Sequence, residues 1–165
     1  AASYPRPIYI RFGKKPLYHL HNANSQFKVG QAIELAAGSD VTFIATGEPV
    51  AHALEACDIL ERQGVSCGVV SMHTVKPLDV EVLLRVAAHS RALITVEEHS
   101  VSGGLGEACA STLLQSGVSL PFKIIGIPDE YMVTGSQSEI FRHYGIMADG
   151  LVSAALELLR QELTA

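Results

Sequence analysis

Short, mostly apolar runs alternate with longer amphipathic segments through most of the chain. The runs at 41–46, 65–72, 92–96 and 122–127 are typical of strands that are buried on both faces. In the segments that follow them, apolar residues recur at helical spacing, and a further amphipathic segment ends the chain. Four strand–helix units in this order predict a mostly parallel sheet with helices on both faces, which is a three-layer α/β/α sandwich.

Several residues have the chemistry that begins or ends a helix. Pro49 suits the first position of a helix, and Gly64 is placed to end the same helix. Asp79 can cap the next one. Ser136 and Glu139 have the spacing of a capping box, which predicts a short helix before the last one.

The first 35 residues differ in pattern from the rest. Three prolines interrupt them, and a short strand-like run at 7–15 stands before a polar stretch at 21–26. We therefore predict a tail or linker over residues 1–35 and one domain over residues 36–165.

Composition narrows the classes of protein and partner. The 165 residues are 48% hydrophobic and 18% charged, which is typical of a globular domain with a packed core. A net charge of −5 and a pI near 5.8 leave no basic surface for a phosphate backbone. Nucleic acid is therefore not an expected partner.

The cysteines and the lengths of the apolar runs indicate the cellular compartment. Cys57, Cys67 and Cys109 stand far apart without a C-x-x-C pair, which indicates buried thiols in a reducing compartment. No apolar run approaches the roughly 18 residues that span a bilayer, and no signal-peptide pattern begins the sequence. We predict a cytoplasmic protein with no membrane partner.

The most informative stretch follows the third apolar run, where Glu97, Glu98 and His99 precede a group of glycines. In an open parallel sheet, the loop that leaves the carboxyl end of a strand is where ligands gather. Carboxylate and imidazole groups serve acid–base catalysis or metal binding, but no second histidine stands four residues on. We predict that these residues and the glycines form an interface or interdomain loop: Glu97, Glu98, His99, Gly103, Gly104 and Gly106.

Glycines before a helix are also found in phosphate-binding loops, in which their spacing follows known motifs. A dinucleotide fingerprint needs a third glycine where this chain has Cys109, and no G-K-[ST] is present. Small residues that let a helix pack close to the sheet are the favoured interpretation. The sequence has no G-x-S-x-G nucleophile motif either. The residues alone therefore predict no complete active site, no catalytic residue and no metal ligand.

Five blocks in fixed order resemble the carboxyl-terminal domain of the transketolase family of thiamine diphosphate enzymes. Together they cover about residues 36 to 160, and they read VTFIATG, VSMHTVKPLD, LITVEEHSVSGGLGEA, KIIGIPDEYMVTGS and FRHYGIMADGLVSAALELL. The run PIYIRFGKK at 7–15 resembles the end of the preceding domain in that family, which binds the aminopyrimidine ring of the cofactor.

The resemblance implies properties that the residues alone do not. It implies one antiparallel edge strand, a homodimer, and a role in subunit contact and domain orientation. Thiamine diphosphate and magnesium would be held by two other domains, on the same or a separate chain, so this fragment alone is expected to be inactive and to bind neither. Lys14 lies near the position of an arginine that contacts the sugar phosphate; lysine keeps the charge without the bidentate fork.

The activity implied is transfer of a two-carbon ketol unit between sugar phosphates. EEHSVSGGLGEA and GIPDEYMVTGS favour transketolase itself. The turn KPLD resembles 1-deoxyxylulose-5-phosphate synthase equally well, and it also resembles a turn in the β subunits of 2-oxo acid dehydrogenases. The synthase and the dehydrogenase β subunit therefore stay as alternatives. An alternative of another class is a free-standing, non-catalytic α/β dimerisation module.

Overall fold

Each apolar run of the sequence forms a strand of one five-stranded sheet. The structure, a computed structural model, describes residues 4–13, 20–21 and 25–162. In chain order, the described residues form β1 (Ile33–Ala36), β2 (Val41–Ala45), α1 (Pro49–Arg62), β3 (Cys67–Ser71), α2 (Val80–His89), β4 (Ala92–Ser100), α3 (Leu105–Gln115), β5 (Phe122–Ile127), α4 (Gln137–His143) and α5 (Ala148–Glu162).

The strand order is β1-β3-β2-β4-β5. β2 pairs in parallel with both β3 and β4, and β4 pairs in parallel with β5. β1 runs antiparallel to β3 at one edge. The mostly parallel sheet that the sequence predicts and the antiparallel edge strand that the resemblance implies are both confirmed.

Two hydrophobic clusters lie on opposite faces of the sheet and define the outer layers. Val41, Phe43 and Ala45 of β2 pack in a cluster with residues of α1 and α5. Ile44 packs in the other cluster, with residues of α2 and α3. Because side chains alternate along a strand, a nearly continuous apolar run is what a strand covered on both faces requires.

β1 begins at Ile33 and pairs there with Ser71 of β3. The expected boundary between residues 35 and 36 therefore falls inside a strand of the sheet. The division into a linker over 1–35 and a domain over 36–165 stays a prediction.

The helix caps are formed as the sequence indicates. The Asp79 carboxylate accepts a hydrogen bond from the Val82 N–H at 3.1 Å at the start of α2. Ser136 and Glu139 form a reciprocal capping box at the start of α4.

β4 is longer than expected. The apolar pattern predicts an end at Val96, but the strand runs to Ser100, which pairs with Ile127 after an irregularity in register. Glu97, Glu98 and His99 therefore lie in the strand and not in the loop after it, which corrects the expected position. Pairing with β5 extends the strand beyond its apolar part, and no local pattern reveals such pairing.

Candidate functional site

Glu97 occupies the junction between the end of β4 and the start of α3. Its side chain is 0% exposed. One carboxylate oxygen, Oε2, accepts a hydrogen bond from the N–H of Leu105 at 2.7 Å, and Oε1 accepts one from the N–H of Gly106 at 2.9 Å. Amides in the first turn of a helix lack partners within the helix, and the helix dipole favours an anion there. Glu97 therefore acts as a built-in anion at the amino end of α3.

Glycines surround this carboxylate because no side chain would fit beside it. A Cβ on Gly104 would overlap Oε2 of Glu97, and a Cβ on Gly126 would lie 2.9 Å from its Cγ. A Cβ on Gly106 would overlap the side chain of Ile124 on β5. The close packing of helix on sheet that the sequence favours is confirmed at Gly106. Two N–H groups that a bound phosphate would need already donate to Glu97.

Gly103 serves a different purpose. Its φ of +73° lies in the left-handed region, and no atom lies within 4 Å of an added Cβ. Its N–H donates to the exposed Glu107 carboxylate at 2.7 Å. The loop therefore needs Gly103 for its backbone angle and Gly104 for space.

His99 completes a small polar cluster with Glu97. Its Nδ1 lies 3.2 Å from Oε2 of Glu97 and 3.1 Å from the carbonyl oxygen of Ser100. Both neighbours are acceptors, so Nδ1 is assigned the hydrogen, and Nε2 is then the acceptor nitrogen of the neutral ring. The side chain is 34% exposed. A carboxylate that orients a histidine is compatible with acid–base chemistry, but it is equally a way to hold the strand end in place.

Burial raises the pKa of Glu97, while the N–H donors of Gly106 and Leu105 oppose that rise. The folded chain therefore keeps this proton to a higher pH than the unfolded chain, whose glutamate titrates near 4.5. Between these two values the folded state binds more protons, so the stability contribution of Glu97 falls as pH rises.

We expect the stability of the native chain relative to Glu97→Gln to be greatest below about pH 4.5 and to decrease as pH rises through the folded pKa of Glu97. Urea unfolding of both proteins at several pH values between about 4 and 8 measures the difference. A difference that grows with pH would show that the N–H donors of Leu105 and Gly106 outweigh burial and lower the pKa of Glu97.

Glu98, the next residue, contacts a different part of the molecule, as alternation along a strand requires. Its side chain is 4% exposed and forms an ion pair with Nη1 of Arg11. A Cβ on Gly47, which follows β2, would lie 2.9 Å from Oε1 of Glu98. Burial raises the pKa of Glu98, the positive charge of Arg11 opposes the rise, and the negative charge of Glu48 adds to it.

The structure brings some of the expected residues together and leaves others apart. Glu97 and His99 form one cluster with the loop before α3, whereas Glu98 belongs to a second cluster with Arg11 and Glu48. The assignment of these strand residues and glycines to an interface or interdomain contact stays a prediction. Lys14 lies outside the described residues.

Sequence reasoning missed Glu48 and assigned Arg11 no partner. A signal for Glu48 was present, since it directly follows Gly47 after a buried strand and so shares the carboxyl edge with Glu98. No signal for the Arg11–Glu98 pair was present, because 87 positions separate the two residues.

The described residues contain no group of three or more His, Cys, Asp or Glu side chains that could hold a metal ion. The same part of the chain has no helix of the length and apolar character that crossing a membrane requires. Cys57, Cys67 and Cys109 are free and buried, as the sequence indicates.

Comparison with known proteins identifies similar chains. The model of the family described as transketolase, C-terminal domain, matches residues 30–151. The chain is 42% identical over 159 residues to a subunit of the apulose-4-phosphate transketolase of Phocaeicola vulgatus, covering 96% of this chain and 50% of that protein. It is 38% identical over 160 residues to 1-deoxy-D-xylulose-5-phosphate synthase of Heliobacterium modesticaldum, covering 96% of this chain and 25% of that protein.

A solved structure described as a split gene transketolase, inactive beta4 tetramer, is similar throughout. The TM-score is 0.87 and the sequence identity 34%, covering 96% of this chain and 51% of that one. The chain thus spans about half the length of the transketolase relatives it matches.

Proposed function

This chain belongs to the family of transketolase C-terminal domains, and we propose on that premise that it is part of an enzyme that transfers a two-carbon ketol unit between sugar phosphates. Within that enzyme, the domain supports subunit contacts and orients its neighbours. The observation that carries the proposed activity is the match of residues 30–151 to the family model, and the Glu97 junction bears on the role of this domain within the enzyme. At the edge where α/β proteins usually bind ligands, the first N–H groups of α3 bind the chain's own carboxylate.

The cofactors of the intact enzyme are proposed to be thiamine diphosphate and magnesium. The junction does not fit a diphosphate. The N–H groups of Leu105 and Gly106 already donate to Glu97, and even a Cβ on Gly104 would overlap its carboxylate. We therefore assign cofactor binding to domains other than this one. Thiamine diphosphate, when bound there, supplies the nucleophilic carbon for ketol transfer, and the protein positions the reactants. By itself the 165-residue chain is expected to be inactive.

The partners are proposed to be a second copy of the chain and the cofactor-binding domains. The Phocaeicola vulgatus relative is named as one subunit of a transketolase, which supports a separate partner chain, and so does the split-gene description of the similar structure. The contact region would include the loop at Gly103 and Gly104 beside Glu97, and separately Glu98. Lys14 is proposed, on the family resemblance, to contact the sugar phosphate.

The synthase is the second candidate, because a 1-deoxy-D-xylulose-5-phosphate synthase is 38% identical to this chain. A 2-oxo acid dehydrogenase β subunit and a non-catalytic dimerisation module have no comparable support among the relatives described above.

Assay of the intact protein that contains this chain, together with any partner subunit and both cofactors, distinguishes the candidates. We expect formation of new sugar phosphates from a ketose phosphate donor and an aldose phosphate acceptor. Formation of 1-deoxyxylulose 5-phosphate instead would favour the synthase. Absence of both activities in a cofactor-loaded protein would contradict the proposal.

A further inference from the structure

The segment at 7–13 lies against the carboxyl edge of the sheet, next to one residue of β4 and one residue of the connection between β2 and α1. Arg11 donates to Oε1 of Glu98, which belongs to β4. A Cβ on Gly13 would overlap Oε1 of Glu48, the N-cap residue of α1, which lies three residues after the end of β2. β2 and β4 are adjacent and parallel, so their carboxyl ends meet at one place. The segment is therefore held where these two strands end.

The charges at this place are unbalanced. Glu48 and Glu98 are both buried and close enough for their charges to repel, but Arg11 forms its ion pair with Glu98. Oε1 of Glu48 is buried and has no hydrogen-bond partner among the described residues. A buried carboxylate without a partner is unfavourable. Within the described residues, Arg11 therefore compensates Glu98, whereas Oε1 of Glu48 has no donor.

The outward side chains of the segment are apolar. Tyr9 is 88% exposed and Phe12 is 82% exposed, and Ile8 and Ile10 are also exposed. Isolated exposed apolar residues are ordinary, but a run of them on one extended segment is typical of a surface that another domain or subunit covers. The same segment thus contacts this domain through Arg11 and Gly13, and its apolar side chains are left for contact with another domain.

We propose that Arg11 and Glu98 form an interdomain clamp, in which the segment at 7–13 belongs to a preceding domain and the ion pair fixes that domain on the carboxyl edge of this sheet. The preceding domain covers Tyr9 and Phe12. Arg11 and Glu98 are then positioning residues. The inference rests on the proposed function, because it describes how this domain orients its neighbour.

Chymotrypsin cleavage at Tyr9 and Phe12, followed by mass spectrometry of the fragments, tests the clamp in the 165-residue chain. Cleavage needs a segment released from the sheet edge, so its rate reports the population of the open form. We expect Arg11→Met and Glu98→Gln each to accelerate it about tenfold, and the double variant to be no faster than either one, because both remove the same contact. Arg11→Lys, which keeps the charge, is expected to be intermediate.

Two controls make the test specific. Arg6→Met removes an arginine from the same end of the chain that forms no ion pair with the described residues, and its cleavage rate is expected to match the native rate. Glu48→Gln removes the like charge beside Glu98 and is expected to slow cleavage. Equal rates for the native chain, Arg11→Met and Glu98→Gln would overturn the clamp, as would acceleration in the double variant equal to the product of the two single effects.

The failure of this inference can be told apart from failure of the proposed function. The comparison of cleavage rates among the variants needs no enzymatic activity of this protein. A negative result there would therefore not contradict ketol transfer. In an active intact protein, Arg11→Met is expected to lower kcat and Arg11→Lys to restore part of it, because only the orientation of the neighbouring domain changes. An unchanged kcat in Arg11→Met would refute the positioning role, whereas an inactive native protein would refute the function.

Discussion

Replacing Glu97 with alanine is expected to lower the free energy of unfolding by about 3–4 kcal/mol and Tm by roughly 10 °C. The variant leaves the N–H groups of Leu105 and Gly106 without an acceptor inside the protein. It also removes a fully buried side chain, so a cavity adds to the loss. Denaturant unfolding near neutral pH measures the change.

Glu107→Ala is the matched control. Glu107 is an exposed glutamate in the first turn of α3, and its side chain accepts one backbone hydrogen bond, from Gly103. Its loss is expected to cost about 1 kcal/mol or less. Equal effects of the two alanine substitutions would mean that the buried position of Glu97 has no special role, and the description of the junction would be wrong.

Gly104→Ala is the second substitution with a large expected effect, about 3 kcal/mol. Gly104 has a φ of −94°, which alanine readily adopts, so backbone strain is not the cause. The added methyl group overlaps the Glu97 carboxylate and displaces it from the amides of α3. The loss should therefore resemble that of Glu97→Ala, measured in the same unfolding experiment.

Two comparisons separate this mechanism from a general sensitivity of the loop. Gly103→Ala adds a methyl group in open space at a positive φ, and only the strain of about 1 kcal/mol is expected. In a chain that already carries Glu97→Ala, the carboxylate that blocks the methyl group is absent, so Gly104→Ala should cost much less. Additive losses in that double variant would contradict the direct contact.

The sheet was largely predictable because its central strands are buried on both faces. Strands β2 and β5 lie within a residue of their expected positions, since mostly apolar runs bounded by proline, glycine or polar residues leave few other interpretations. β1 was not predicted. It has four residues, and its place in the sheet depends on pairing with β3, which is distant in sequence.

The sequence predicted where the candidate site lies in the chain, but not which contacts its residues make. The run at 97–106 was singled out from its acids and glycines, and the structure gives its members distinct contacts. What Glu97 binds depends on the end of β4 and the first turn of α3 meeting in space, and on glycines as far away as Gly126. Sequence patterns record periodicity, whereas this contact is set by tertiary packing.

The same reason explains the Arg11–Glu98 pair. Arg11 stands in a segment with no periodic pattern, and its partner is 87 positions away. A charge in such a segment is ordinarily solvated, so the residues alone favour no partner for it. In the structure, Arg11 contacts a buried carboxylate.

Calorimetric titration of the 165-residue chain with thiamine diphosphate and magnesium tests most directly whether this domain supports an active site held elsewhere. We expect no saturable heat of binding, because Glu97 binds the first N–H groups of α3 and cofactor binding is assigned to other domains. Saturable binding at about micromolar concentration would contradict it and would place a cofactor site within this chain.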